Sequence, residues 1–137
     1  MNRQIEFRGK RLDNGEWVYG YYVENKLGNH FIYEIERNGE FVWNSYEVYP
    51  STIGQFTGLA DKNMKRIYEH DIIKGHEWEK GKSHRHIGIV EYIGSSFRSV
   101  GINKYSGFHG SVDGSYEVIG NIFDRRKKNE SRRHNQS

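Results

Sequence analysis

The residues best suited to chemistry lie between His76 and His86, where three imidazoles (His76, His84, His86) stand with the carboxylates of Glu77 and Glu79. Nitrogen and oxygen donors of this kind could hold Zn²⁺ or Ni²⁺ and leave a position open for water, the arrangement metal-assisted hydrolysis needs. On a strand His84 and His86 would share a face. The spacing matches no established ligand motif, however, and Lys80, Lys82 and Arg85 interleave with the acids. The segment from Gly75 to Arg85 is therefore read as a charged, solvated loop, and no residue is assigned as a metal ligand. The triplet Glu69-His70-Asp71 could serve acid and base roles if buried together. Alternation along a strand would turn His70 away from both acids, so Asp71 is assigned to capping local backbone amides instead. His76-Glu77 opens a paired-His zinc-protease pattern, but the fifth residue is Lys80. No nucleophile elbow and no phosphate-cradling Gly loop is present. The chain is accordingly expected to have no catalytic residues, no metal and no cofactor.

Two other groups of residues suit binding. Arg125, Arg126, Lys127, Lys128, Arg132 and Arg133 crowd the C-terminal stretch, where the single acid is Glu130. They are the candidate nucleic-acid contacts, offering phosphates a salt-sensitive attraction with no reading of sequence. Up to Asp124 the chain carries 15 Lys and Arg against 17 Asp and Glu, a balance of −2, so the net charge of +3 belongs to a tail expected to be disordered. Trp17, Tyr19, Tyr21, Phe41, Trp43 and Tyr49 form alternating sets that could make a base-stacking or peptide-binding platform. An acidic body argues against nucleic acid there. Most of these rings are expected in the core, with Trp17 and Trp43 substantially buried, and exposed ones at a subunit interface.

The elements that must carry these residues are β-strands. Ile and Val number 13 and 8 among 137 residues, Leu and Ala only 3 and 1, so β formers dominate the aliphatic set. Twenty aromatic residues (10 Tyr, 7 Phe, 3 Trp) supply the volume that the aliphatics lack. Asn14-Gly15 joins Ile5–Leu12 to Glu16–Val23, and Asn38-Gly39 joins His30–Glu36 to Glu40–Val48, which predicts two hairpins. They echo each other at an offset of 24 residues, in Asn14-Gly15-Glu16-Trp17-Val18-Tyr19 and Asn38-Gly39-Glu40-Phe41-Val42-Trp43. Beyond Pro50, a β-prone run to Gly58 leads to the turn Asp61–Lys65, then one helical turn at Ile67–Glu69 and a strand Ile72–Lys74. His86–Ile93 carries apolar residues on both faces, which marks a central strand. Phe97–Ile102 pairs back through Gly94-Ser95-Ser96, and Tyr116–Phe123 supplies the last strand. The expectation is an all-β protein with minimal helix: a hairpin region over 1–50, a small barrel-like region over 51–124 and the basic tail over 125–137. Cys is absent, apolar runs are short and the start lacks a signal-peptide core, so a cytoplasmic protein without membrane association is expected.

The blocks Ile53-Gly54-Gln55-Phe56-Thr57-Gly58-Leu59-Ala60-Asp61-Lys62-Asn63 and Ile67-Tyr68-Glu69-His70-Asp71-Ile72-Ile73-Lys74 resemble the YopX proteins of bacteriophages and prophages. So do the opening phrases Phe7-Arg8-Gly9-Lys10 and Gly15-Glu16-Trp17-Val18-Tyr19-Gly20, and the closing Glu117-Val118-Ile119-Gly120-Asn121-Ile122-Phe123. The resemblance covers essentially Ile5 to Phe123. Met64 and His70 stand where that pattern has Gly, which singles out both positions for unusual backbone geometry. The resemblance implies a phage origin, a β-rich fold with barrel-like parts and self-association, and it offers no catalytic motif to transfer. The resulting expectation is a non-enzymatic, homo-oligomeric binding module whose partners are itself and a host or phage protein. The alternatives are a weak nucleic-acid binder through the tail and a metal-assisted hydrolase at His76, His84 and His86.

Overall fold

Strands begin wherever β-branched and aromatic residues alternate, and they turn wherever Gly, Asn or Asp can leave the extended region. The computed structural model describes residues 5–34 and 44–124, and these divide into two compact units, Met1–Gly58 and Leu59–Ser137. Both are built on antiparallel sheet, as the composition predicts.

In the first unit, β1 (Phe7–Lys10), β2 (Trp17–Glu24), β3 (His30–Glu34) and β4 (Ser45–Glu47) form a meander. A 3-10 turn over Pro50–Thr52 then leads into β5 (Gly54–Ala60), which pairs with β1 on the other side. The first hairpin forms where expected, with a longer loop. Lys10 pairs with Trp17, Arg11 N donates to the Glu16 carbonyl, and Asn14 Oδ1 accepts from Glu16 N while Gly15 takes φ +72°. A β2–β3 hairpin not anticipated from sequence turns on Asn25, whose Oδ1 accepts from the amides of both Leu27 and Asn29. The expected Asn38-Gly39 turn lies outside the described residues, as do Phe41 and Trp43. Pairing places Phe7, Gly9, Val18, Tyr22, Ile32 and Tyr46 on one face, and the buried cluster Val18, Ile32 and Val48 packs there with Phe7, Tyr22, Tyr46 and Ile53.

The second unit holds β6 (Arg66–Tyr68), β7 (Asp71–Glu79), β8 (Lys82–Ile93), β9 (Ser96–Gly101), β10 (His109–Gly110) and β11 (Glu117–Asn121). The last five make one sheet in the order β10-β9-β8-β7-β11, with β8 central as its two apolar faces predict. This sheet has two edges, β10 and β11, so the barrel-like region expected here is an open sheet and not a closed barrel. Ile67, Ile73, Val90 and Tyr116 are its buried core, with Phe97, Val112 and Val118 packed against them. Two local expectations are corrected. Ile67–Glu69 is no helical turn: Arg66–Tyr68 is strand, because Ile67 and Tyr68 are both buried. Nor is Gly75–Arg85 a solvated loop: β7 and β8 pair continuously from Ile72↔Ile89 out to Glu79↔Lys82. Lys80 and Gly81 close that hairpin with φ +53° and +78°, the left-handed pair that matches strand twist.

Candidate functional site

Ladder register decides what the histidines can do together. His86 pairs with Gly75 and His84 with Glu77, so these four residues and Glu79 share the face that carries Ile73 and Val90. His76 pairs with Arg85 on the opposite face. The three imidazoles therefore do not converge, and among the described residues no group of three or more His, Asp or Glu is placed to hold a metal ion. His86 is fully buried, its Nε2 3.1 Å from the Ser99 carbonyl, to which that nitrogen donates. Its ring lies edge-on to Phe108, Tyr105 and Tyr116. His84 Nε2 sits 3.3 Å from Glu79 Oε2, and its ring meets Phe108 edge-on.

Beside His86 the same face carries a part-buried polar anchor. The Tyr116 hydroxyl and the Ser111 hydroxyl and amide all donate to Glu77 Oε2, the Ser111 contacts at 2.9 and 3.3 Å. Burial, then the hydrogen bond to Glu77, raises the Tyr116 phenol far above its ordinary value, so it stays protonated and acts as a donor. Glycine makes room for this packing. A Cβ on Gly75 would stand 2.8 Å from the Tyr116 ring, and one on Gly110 would stand 3.0 Å from both Glu77 Cδ and His86 Cδ2. Next to the anchor lies an open depression of about 380 Å³, lined by Glu79, His84, His86, Lys104, Tyr105 and Phe108 among others. Among its ionisable groups Glu79 lies beside His84 and Lys104 stands 5.4 Å over the Tyr105 ring, while the buried His86 Nδ1 finds no hydrogen-bond partner among the described residues. Chemically the arrangement fixes strands and loops in place.

The remaining carboxylates singled out by sequence also serve backbone geometry. Asp71 Oδ2 accepts from Tyr68 N at 2.8 Å, closing the tight turn that holds His70 at φ +77°, with the His70 ring edge-on to Phe123. Asp61 Oδ1 accepts from Asn63 N and Lys65 N, and its Oδ2 from Val118 N, each at 2.8 Å. Burial pushes the Asp61 carboxyl up, but these three amides and the Lys65 charge outweigh it and hold the group below the usual carboxylate range. That turn places Met64 at φ +67°. Both residues standing in for Gly thus adopt the backbone conformation that Gly favours.

Exposed aromatic side chains mark two surfaces among the described residues. On the face of β2–β3 away from the core cluster, Tyr21 pairs with Tyr33 and Val23 with Phe31. Tyr21 is 57% exposed, Val23 42% and Tyr33 36%. Trp17 is on this face too, partly buried, with Arg8 at 4.5 Å and Lys10 at 5.3 Å over its ring, so it stands outside the core cluster. The second surface escaped the sequence reading altogether: Trp78, 74% exposed, near the tip of the β7–β8 hairpin. The available signal was its position in an alternating polar segment, which sets it opposite Glu77 and Glu79. The six tail cations proposed for nucleic acid, Arg125 to Lys128 with Arg132 and Arg133, lie outside the described residues.

Two antiparallel sheets, carboxylates committed to turns and strands, and exposed aromatic side chains describe an all-β protein. The YopX protein family matches residues 6–127, so the chain belongs to the YopX family. No curated protein matched the chain. Among the described residues no helix is long and apolar enough to cross a membrane.

Proposed function

We propose that this YopX protein is a non-enzymatic binding module of phage origin, working in the cytoplasm of the bacterial host and self-associating through the β2–β3 face. The observation that carries this reading is the patch of exposed Tyr21, Val23 and Tyr33 around half-buried Phe31, two apolar cross-strand pairs bordered by Glu47 opposite Phe31. Such a patch is self-complementary at its centre: Tyr21 and Tyr33 can meet their own copies across a two-fold axis with Glu47 left at the solvated rim. The hydrogen bonds that tie Glu77, Asp61 and Asp71 to neighbouring turns and strands support the non-enzymatic part, because they give these carboxylates a structural role. A further host or phage protein would dock on the assembled oligomer. Light scattering coupled to gel filtration tests the reading. The native chain should elute at a multiple of its 16.2 kDa, and the Tyr21→Lys/Tyr33→Lys variant at the mass of one chain. A native chain that stays monomeric at every concentration would refute self-association.

A further inference from the structure

The β7–β8 hairpin outruns its own sheet. β11 accompanies β7 over Asp71–Lys74 and β9 accompanies β8 over Gly88–Ile93, so the pairs from Gly75↔His86 to Glu79↔Lys82 form a two-stranded ribbon beyond both neighbours. Strand alternation sorts its charges. Glu77 and Glu79 face the inner side, whereas His76, Trp78, Ser83 and Arg85 occupy the outer side with no carboxylate from the ribbon among them; nearer the sheet, Lys74 is paired at 3.5 Å with Glu117. His76 stands directly opposite Arg85, and Trp78, one step nearer the tip, stands diagonal to that guanidinium, while Lys80 is in the turn.

From this placement we infer that the ribbon tip is a binding site for single-stranded nucleic acid. A base stacks on the Trp78 indole, and the flanking phosphates meet Arg85, Lys80 and the His76 ring. The indole is 74% exposed, so a π-face is presented without rearrangement. The residues around Trp78 are His76, Ser83, Arg85 and Lys80, all exposed and polar, which suits a stacked, hydrated and anionic strand. The net charge of −2 over residues 1–124 does not oppose this, because the acids of the ribbon point to its other side. The site is independent of the C-terminal cations and of self-association through β2–β3.

The test is fluorescence anisotropy of the full chain with a labelled oligothymidylate of about a dozen nucleotides, near the site size of small stacking modules, at low salt. Trp78→Ala should weaken binding about tenfold or more while Trp78→Phe keeps most of it, because stacking contributes roughly 1–3 kcal/mol per base. Arg85→Ala should reduce the slope of log affinity against log salt by about 1. Trp78 is exposed, so its truncation leaves the fold intact, and an unchanged far-ultraviolet circular dichroism spectrum verifies that. Equal affinity of the native chain and Trp78→Ala would overturn the inference, including the case where affinity disappears only on removal of residues 125–137. Polyglutamate binding that is Trp78-dependent and matches the oligonucleotide in strength would also overturn it, by making the tip a site for acidic peptide.

Discussion

Met64 and His70 show how far single residues can be read from sequence and where packing takes over. Both were marked by standing in place of Gly, and both adopt positive φ, a conformation that costs an L residue about 1–2 kcal/mol. Met64 is 82% exposed, so Met64→Gly removes strain and little packing; it should stabilise the protein by about 1 kcal/mol in denaturant titration, less the extra freedom of an unfolded Gly. His70→Gly should gain less, because it also deletes the edge-on contact with Phe123. Asp61 lies at the other extreme. Asp61→Ala would leave three amides without their acceptor and should destabilise by about 3 kcal/mol, with Asp61→Asn recovering part of the loss. The exposure of Trp78 was not legible. Its segment carries polar residues on both sides and reads as a solvated loop, so only the ladder register shows which face Trp78 occupies.

At the level of elements, legibility followed apolar alternation. Its presence on both faces of His86–Ile93 identified the central strand, and Asn14-Gly15 identified a hairpin that the structure contains. Alternation is missing from Gly75–Arg85 because polar residues occupy both faces of the ribbon, and the strand expected at Ile72–Lys74 is extended by the structure to Glu79 and continues after the turn from Lys82. Tyr116 was placed at the start of the last strand, but it is the largest fully buried side chain of the second unit's core, a role set by contacts distant in sequence. Gly75 is the element-level counterpart. Its missing side chain admits the Tyr116 ring, so Gly75→Ala, with its Cβ at 2.8 Å from that ring, should destabilise by about 1–3 kcal/mol through overpacking. A thermal midpoint equal to that of the native chain would show that the ring can shift without cost.

For the molecule as a whole, two effects set behaviour in solution: acid sensitivity and the aromatic face. Hydrogen bonds hold the carboxyls of Asp61 and Asp113 below their ordinary values, through backbone amides at Asp61 and the Ser115 hydroxyl first at Asp113. Groups with a lowered folded pKa stabilise the protein above the unfolded value, near pH 4, and that stability is lost as pH falls through the folded values. Thermal scans should therefore show a midpoint dropping below about pH 4, less steeply in Asp61→Asn. The aromatic face carries the proposed self-association, which requires Tyr21 and Tyr33 to be covered by a second copy. Hydroxyl-radical footprinting of the full chain at low and high concentration, read by mass spectrometry, addresses those two rings directly. Oxidation of Tyr21 and Tyr33 should fall as concentration rises, while that of Tyr92, exposed on a different sheet, stays constant. Equal oxidation of Tyr21 and Tyr33 at both concentrations would contradict the account.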